Sequence, residues 1–551
     1  MKNNQSFTVS TTRQLEGLSV LLLSIAAIVF LYFSARSLYY FPVPDSYRWY
    51  GDETWILIAA KNLLIHGRLI VSTALGSTLQ SAPGLLLGSP WIAAIIYGLP
   101  QILTPAEVDV INVGRDISFI LGIGCLVFIG WAAFKLKIGF IPATLAMVLL
   151  ATTRSFTFAT HSARYDIMTG FALLAFVSLF AISAQRPRLS FAHPKGRVGL
   201  RCFSIGIVAM LTALTISPHL EVLLLPVALF TAWKAGAFRS WRYVVSFLSG
   251  AALGLAALIA VYAISNHSFS ILGQIKADNQ FGSVLSNLPI RRFFSYSAQS
   301  HQLWAKQYYL WHEATLFAFA LPLIIISEVA LLITKRPHAT TGFITVCLFL
   351  SILSAILLQS TLPYYLIHLL PLIALTFAAQ MNEWRKWPIT FPTMSIANIL
   401  LATFIAVRLI PEINHAAVMS KRIGEANSAA VQAAFEEEGR FREHNGVRPI
   451  VLAQAPAIHE LLRDTSLRVM SEAFLFFPER RELPDSTFAR IGVKYIIDYN
   501  RPMTPEYEVA VRHAIPIFSR TGTFLDRTID YFHDTTSELD TLTMYELDSA
   551  K

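Results

Sequence analysis

Residues 18–38 read LSVLLLSIAAIVFLYFSARSL, and residues 50–55 read YGDETW. The first run is long enough to cross a bilayer core of roughly 30 Å. The second sets two carboxylates, Asp52 and Glu53, just beyond it at a membrane–water boundary, followed by an amphipathic stretch from Trp55 to His66. A carboxylate at that level stays ionised while facing a lipid-borne molecule. An isolated acidic pair reads more simply as the start of a solvated loop. Where the other polar residues fall decides between the two.

Of 551 residues, 54% are hydrophobic and only 14% charged, and apolar runs of about 18 to 22 residues recur, the pattern of a polytopic helical membrane protein. The first run is full length and lacks a small-residue cleavage motif, so no cleavable signal peptide is expected. Cys125, Cys202 and Cys347 lie far apart in or beside apolar segments and read as small core residues, with no disulfide or metal pattern. From Glu412 onward there are 16 basic and 22 acidic residues, a net of −6, which leaves 28 against 13 and a net of +15 before it. A basic membrane half reflects orientation and anionic lipid, and nucleic acid is a poor fit.

Membrane helices are expected near 115–134, 141–158, 166–184, 204–217, 219–234, 241–265, 314–335, 341–360, 363–381 and 391–411. The short pair meeting at Pro218 is either a tight hairpin or one bent helix. The 185–202 loop carries Arg186, Arg188, Lys195, Arg197 and Arg201 with no acid, so it belongs in the cytoplasm. Lys135 and Lys137, then Lys234, Arg239 and Arg242, then Lys335 and Arg336, then Arg385 and Lys386 mark further cytoplasmic turns. These agree with a cytoplasmic N-terminus only if the run 85–103, broken by Gly88, Pro90, Gly98 and Pro100, stays in the first external loop, 37–114. About eleven spans result.

On this map ten of the 13 acids of the membrane half fall outside or at outer helix ends: Asp45, Asp52, Glu53, Glu107, Asp109, Asp116, Asp166, Glu221, Asp278 and Glu313. The same face receives His161 to Asp166, Ser217 to Glu221, the 266–313 loop, and Leu362-Pro363-Tyr364-Tyr365. Charges at membrane depth cost about 2.5–3.5 kcal/mol each on insertion scales and usually line a site. An external cavity among helix ends follows. Beyond residue 411 a charged helical pattern, 416–441, precedes strand-like runs at 449–453, 467–477, 493–498, 515–519 and 541–547. A helix near Ala455 completes a small soluble α/β domain, 412–551, outside the membrane.

No P-loop, GxSxG, HExxH or CxxC is present. Gly51-Asp52-Glu53, Ala59, Gly67 and Pro83-Gly84-Leu85, in that order, resemble the first external loop of GT-C glycosyltransferases. The branch in question contains aminoarabinose transferases and protein O-mannosyltransferases. Ser162-Ala163-Arg164-Tyr165-Asp166 resembles that branch's second-loop Arg/Asp element, and Leu362-Pro363-Tyr364-Tyr365-Leu366 with Leu370-Pro371-Leu372 resembles its late segment.

The resemblance implies a GT-C module, 1–411, that transfers a sugar from a polyprenyl phosphate to an acceptor outside the cytoplasm, in a bacterial plasma membrane. By position in the motif Asp52 is the base and Glu53 orients the site or binds acceptor. Arg164, His161, His219, Arg291, Arg292 and Lys306 are candidate cations for the leaving phosphate. Asp166 either holds Arg164 or shares a divalent cation with Asp52.

Plainer readings stand beside these. Asp166 with Arg164 is equally a salt bridge at a helix end. His219 and Glu221 serve as caps, Arg291-Arg292 as a headgroup anchor, and Tyr364 and Tyr365 as belt residues. The branch's Thr-Lys-Gly element is missing, its place reading Leu214-Thr215-Ile216-Ser217-Pro218-His219. The rival functions are a transporter or flippase of a lipid-linked sugar, which would show polar residues on both faces, and a non-catalytic scaffold.

Overall fold

A computed structural model describes residues 2–37, 95–97, 110–163, 166–185, 195–216, 218–265, 315–334, 339–358, 362–384, 391–438, 450–453, 457, 461, 468–471, 493–499, 511–512, 514–522 and 540–547. The helices are α1 (Lys2–Ser37), α2 (Val110–Lys135), α3 (Phe140–Ala151), α4 (Arg154–His161), α5 (Asp166–Gln185), α6 (Lys195–Ile216) and α7 (Pro218–Lys234). After a 3-10 turn at Ala237–Arg239 come α8 (Trp241–Ser265), α9 (Thr315–Ile333), α10 (Ala339–Leu358), α11 (Leu362–Trp384) and α12 (Phe391–Phe404). A π turn, Ile405–Leu409, joins α12 to α13 (Ile410–Glu438).

α1, α2 and α9 are apolar on their outer as well as their inner faces. Leu23, Ala26 and Phe30 of α1 are buried, yet Leu21, Ile25 and Ile28 of the same helix are exposed, as are Ile120, Val127 and Phe134 of α2 and Ile326 and Leu332 of α9. Helices that are apolar all round, with their outer surface bare of charge, belong in lipid. Among the described residues Gly17–Arg36, Asn112–Lys135 and Asp166–Ala184 are long and apolar enough to cross a membrane, and α3 with α4 forms a fourth candidate as a bent pair.

The sequence pattern reads 141–158 as one helix, but the chain breaks direction by 70° between α3 and α4. Thr152 and Thr153 stand at the break. Their hydroxyls donate back to Val148 O (2.8 Å) and Leu149 O (2.7 Å), and Thr153 takes an extended backbone, φ −73°, ψ 124°. The expected separation of 391–411 from 416–441 is also not seen. The helix runs on from Phe391 to Glu438 through the π turn, because Pro411 has no N–H to give Val407 and its ring would strike that carbonyl in a regular helix.

Two glycines let α6 and α8 touch backbone to backbone. A Cβ on Gly206 would lie 2.2 Å from Phe247 O, and one on Gly250 would lie 2.1 Å from Phe203 O. Without a hydrophobic drive between helices in lipid, such close approach and buried polar bonds hold the bundle. Gln380 of α11 supplies one polar knot, accepting from Ser327 and donating to Glu328, both of α9, and donating to Thr345 of α10 at 3.0 Å.

Beyond α13 lie strands β1 (Ile450–Ala453), β2 (Arg468–Ser471), β3 (Val493–Asp498), β4 (Ile515–Gly522) and β5 (Asp540–Glu546), in sheet order β2-β1-β3-β5-β4. β1 is parallel to β2 and β3, whereas β5 is antiparallel to β3 and β4. Tyr495, Ile496 and Ile497 of the central strand are buried, as a strand covered on both faces requires. Tyr499 Oη donates to Asn427 Oδ1 of α13 at 2.6 Å, which ties the sheet to the end of the long helix.

Candidate active site

Asp166 is the first residue of α5 and is buried. A carboxylate at a helix N-terminus is favoured by the dipole and the free N–H groups there. One turn later stands Gly170, where a Cβ would meet Pro371 Cγ at 3.0 Å and His368 O at 3.2 Å. The missing side chain lets α11 settle on α5 at this point, and His368 Nε2 comes to lie 2.7 Å from Asp166 Oδ1. Both groups are withdrawn from solvent. An ionised carboxylate only accepts, so Nε2 is the donor. The pair fixes one face of the carboxylate.

His161, last residue of α4, is buried against the end of α1. Its Nε2 lies 2.8 Å from Ser34 O and 3.0 Å from Ser34 Oγ, and its Nδ1 lies 2.7 Å from Thr157 O and 3.1 Å from Thr160 Oγ1. Phe119 of α2 meets the ring edge-on. Both nitrogens thus face protein partners, and the imidazole fastens α4 to α1. Arg115, one turn before Phe119 on α2, is also buried. Tyr97 and Ser118 share a 2.6 Å hydrogen bond beside it.

Ser34, Arg115, His161, Asp166 and His368 therefore gather at one end of the bundle. At the opposite end of α5, residues 180–184 face residues 200–205 of α6 and 231–235 of α7. The start of α7, with the backbones of His219 and Glu221, accordingly falls at the Asp166 end. Tyr364 and Tyr365 lie one turn before His368 on α11. The side chains of these four lie outside the described residues, as do Asp52, Glu53, Arg164, Arg291, Arg292 and Lys306 altogether.

No family model matches the chain, and no curated protein matches it. Among solved structures it is similar to ArnT from Cupriavidus metallidurans in the apo state, at 11% identity and a TM-score of 0.48 over 97% of this chain and 98% of that one. The same protein bound to undecaprenyl phosphate gives 12% identity and a TM-score of 0.47 over 96% and 98%. The Archaeoglobus fulgidus oligosaccharyltransferase in the apo form gives 12% and 0.44 over 91% and 73%. Likenesses of this extent carry no argument about chemistry.

The described donor set does not make up a cation site. No three His, Cys, Asp or Glu side chains among the described residues are placed to hold a metal ion. His368 Nε2 is turned into Asp166 Oδ1. Asp52, the other carboxylate expected to share such an ion, lies outside the described residues.

His368 is the functional candidate that the motif reading passed over, although it sits inside the segment quoted for it. The signal was available. An ionisable residue within an apolar helix is by default a site residue whose partner should be sought, and Ile367-His368-Leu369 is such a case.

Proposed function

We propose that this chain is a GT-C-type membrane glycosyltransferase that moves a sugar from a polyprenyl-phosphate carrier to a lipid, glycan or protein acceptor outside the cytoplasm. The observation that carries the reading is the convergence at one end of the bundle. There the Arg/Asp element that begins α5 meets the late segment that begins α11, through Asp166 and His368. The two stretches are distant in sequence, and both were singled out by their resemblance to that family.

In the proposed reaction the acceptor oxygen attacks the anomeric carbon while Asp52 takes its proton. The bond from that carbon to the phosphate oxygen breaks, polyprenyl phosphate leaves, and the anomeric centre inverts. Arg164, Arg291, Arg292, Lys306 and His219 are assigned to the charge that grows on the phosphate. Glu53 orients the acceptor, Asp166 is held in position by His368 and fixes the Arg164 side of the site, and His161 ties that end of the bundle together. Glu221, Tyr364 and Tyr365 border the headgroup. No step is routed through a metal. The proposal includes eleven spans, the site and residues 412–551 on the outer face, and an acceptor-side role for the sheet.

Purified full chain with a radiolabelled polyprenyl-phosphate sugar and a membrane extract as acceptor tests this. The expected result is release of polyprenyl phosphate, lost in Asp52→Asn while donor binding persists. Donor binding without release would support a flippase instead, and neither binding nor release would support a scaffold.

A further inference from the structure

At the end of the bundle opposite Asp166 a cavity of about 690 Å³ opens between α5, α6, α7 and α10. Eighteen residues of α5 separate Asp166 from Ala184 on its wall, about 27 Å at the helical rise, so it is a different site. Its walls are mainly apolar, with Phe180, Ile205 and Phe343 among them, and its charged lining residues are Arg201 and Lys234. Among the described residues no acidic side chain lines it.

Thr231 gives an independent sign. It lines the cavity, is 4% exposed, and its Oγ1 has no hydrogen-bond partner among the described residues. Thr334, Thr345 and Thr376 donate to the carbonyl four residues back, whereas Thr231, like Thr144 of α3, does not, and of these two only Thr231 lines the cavity. A buried hydroxyl without such a bond costs free energy unless a ligand supplies one. Lys234 Nζ is held at the rim over the Trp233 ring, 4.7 Å from its centroid. Trp233, Phe238 and Trp241 are exposed at the same level, which marks it as a membrane–water interface.

We infer that this cavity is a binding site for an anionic glycerophospholipid, its phosphate held by Arg201, Lys234 and Thr231 and one acyl chain between the apolar walls. Basic pockets between membrane helices on the positively charged side take such headgroups, and a volume of this size suits a ligand. A free phosphate would gain nothing from walls of phenylalanine and isoleucine. The inference is independent of the transfer chemistry.

Native mass spectrometry of the purified full chain in detergent tests it, with dioleoyl phosphatidylglycerol, dioleoyl phosphatidylcholine and glycerol 3-phosphate as separate probes. One phosphatidylglycerol adduct is expected at a concentration at least tenfold below that needed for phosphatidylcholine, with none for glycerol 3-phosphate. Arg201→Gln with Lys234→Gln should abolish the preference and Thr231→Val should weaken it severalfold, whereas Asp166→Asn should leave it unchanged. Equal retention of the two lipids by the unaltered chain overturns the inference without any variant. Binding of glycerol 3-phosphate as tight as that of the lipid, or an undiminished preference in both Lys234→Gln and Thr231→Val, overturns it as well.

Discussion

Replacing His368 by leucine removes the N–H that Asp166 Oδ1 accepts at 2.7 Å and leaves a carboxylate that is 4% exposed facing an apolar side chain. Leaving a buried carboxylate without its hydrogen-bond donor costs about 3 kcal/mol, on the order of a hundredfold in an equilibrium at 1.4 kcal/mol per decade. Glutamine at position 368 keeps an N–H at nearly the same reach, and a neutral donor in place of imidazole should cost about 1 kcal/mol. Asp166→Leu with His368→Leu removes both polar partners together and should recover most of the loss, since matched apolar replacement of a buried pair is often neutral. The unaltered protein, the two replacements at 368, Asp166→Leu alone and the double replacement can be compared by tryptophan fluorescence as the denaturing fraction of mixed micelles is raised. The reasoning fails if leucine and glutamine at 368 are equally costly, or if the double replacement costs the sum of the singles.

Further expectations concern packing and chemistry. Gly206→Leu or Gly250→Leu should force α6 from α8 and lower the midpoint of the same titration by more than 3 kcal/mol equivalent, because the added Cβ would lie within 2.2 Å of a carbonyl. Gly124→Ala, where nothing lies within 4 Å, should be neutral or stabilising by about 0.5–1 kcal/mol. Tyr499→Phe should loosen the sheet from α13 at a cost of about 1 kcal/mol, seen as earlier proteolysis between residues 450 and 546 with the membrane bundle intact. Asp52→Asn should reduce transfer by about 10²- to 10⁴-fold, the range for loss of a general base, in a single-turnover assay with bound labelled donor.

Hydropathy made much of this fold legible, since lipid demands long apolar runs and leaves few alternatives. The run 241–265 matches Trp241–Ser265, and the strand-like run at 493–498 matches β3. Ends were less legible. Residues 185–202 read as a basic loop, yet α6 begins at Lys195. An apolar window registers only the lipid-facing length, while long basic side chains carry a helix on into the interface. The break at Thr152 and Thr153 was invisible because both residues fit an apolar pattern. Asp166 stood out as a lone acid beside an apolar run. Its partner did not, because 202 residues separate it from His368 and the glycine that lets them meet reads in sequence as one small residue among many.

The central claim is that Asp52 and Asp166 serve one pocket, and side-specific labelling tests it most directly. Single cysteines at Tyr50, Tyr165 and Arg188 in sealed vesicles, with a membrane-impermeant maleimide added to one side, report which face each position occupies. Cys125, Cys202 and Cys347 are buried and should stay silent. Tyr50→Cys and Tyr165→Cys are expected to react from the same face and Arg188→Cys from the other. Reaction of positions 50 and 165 from opposite faces would contradict the account.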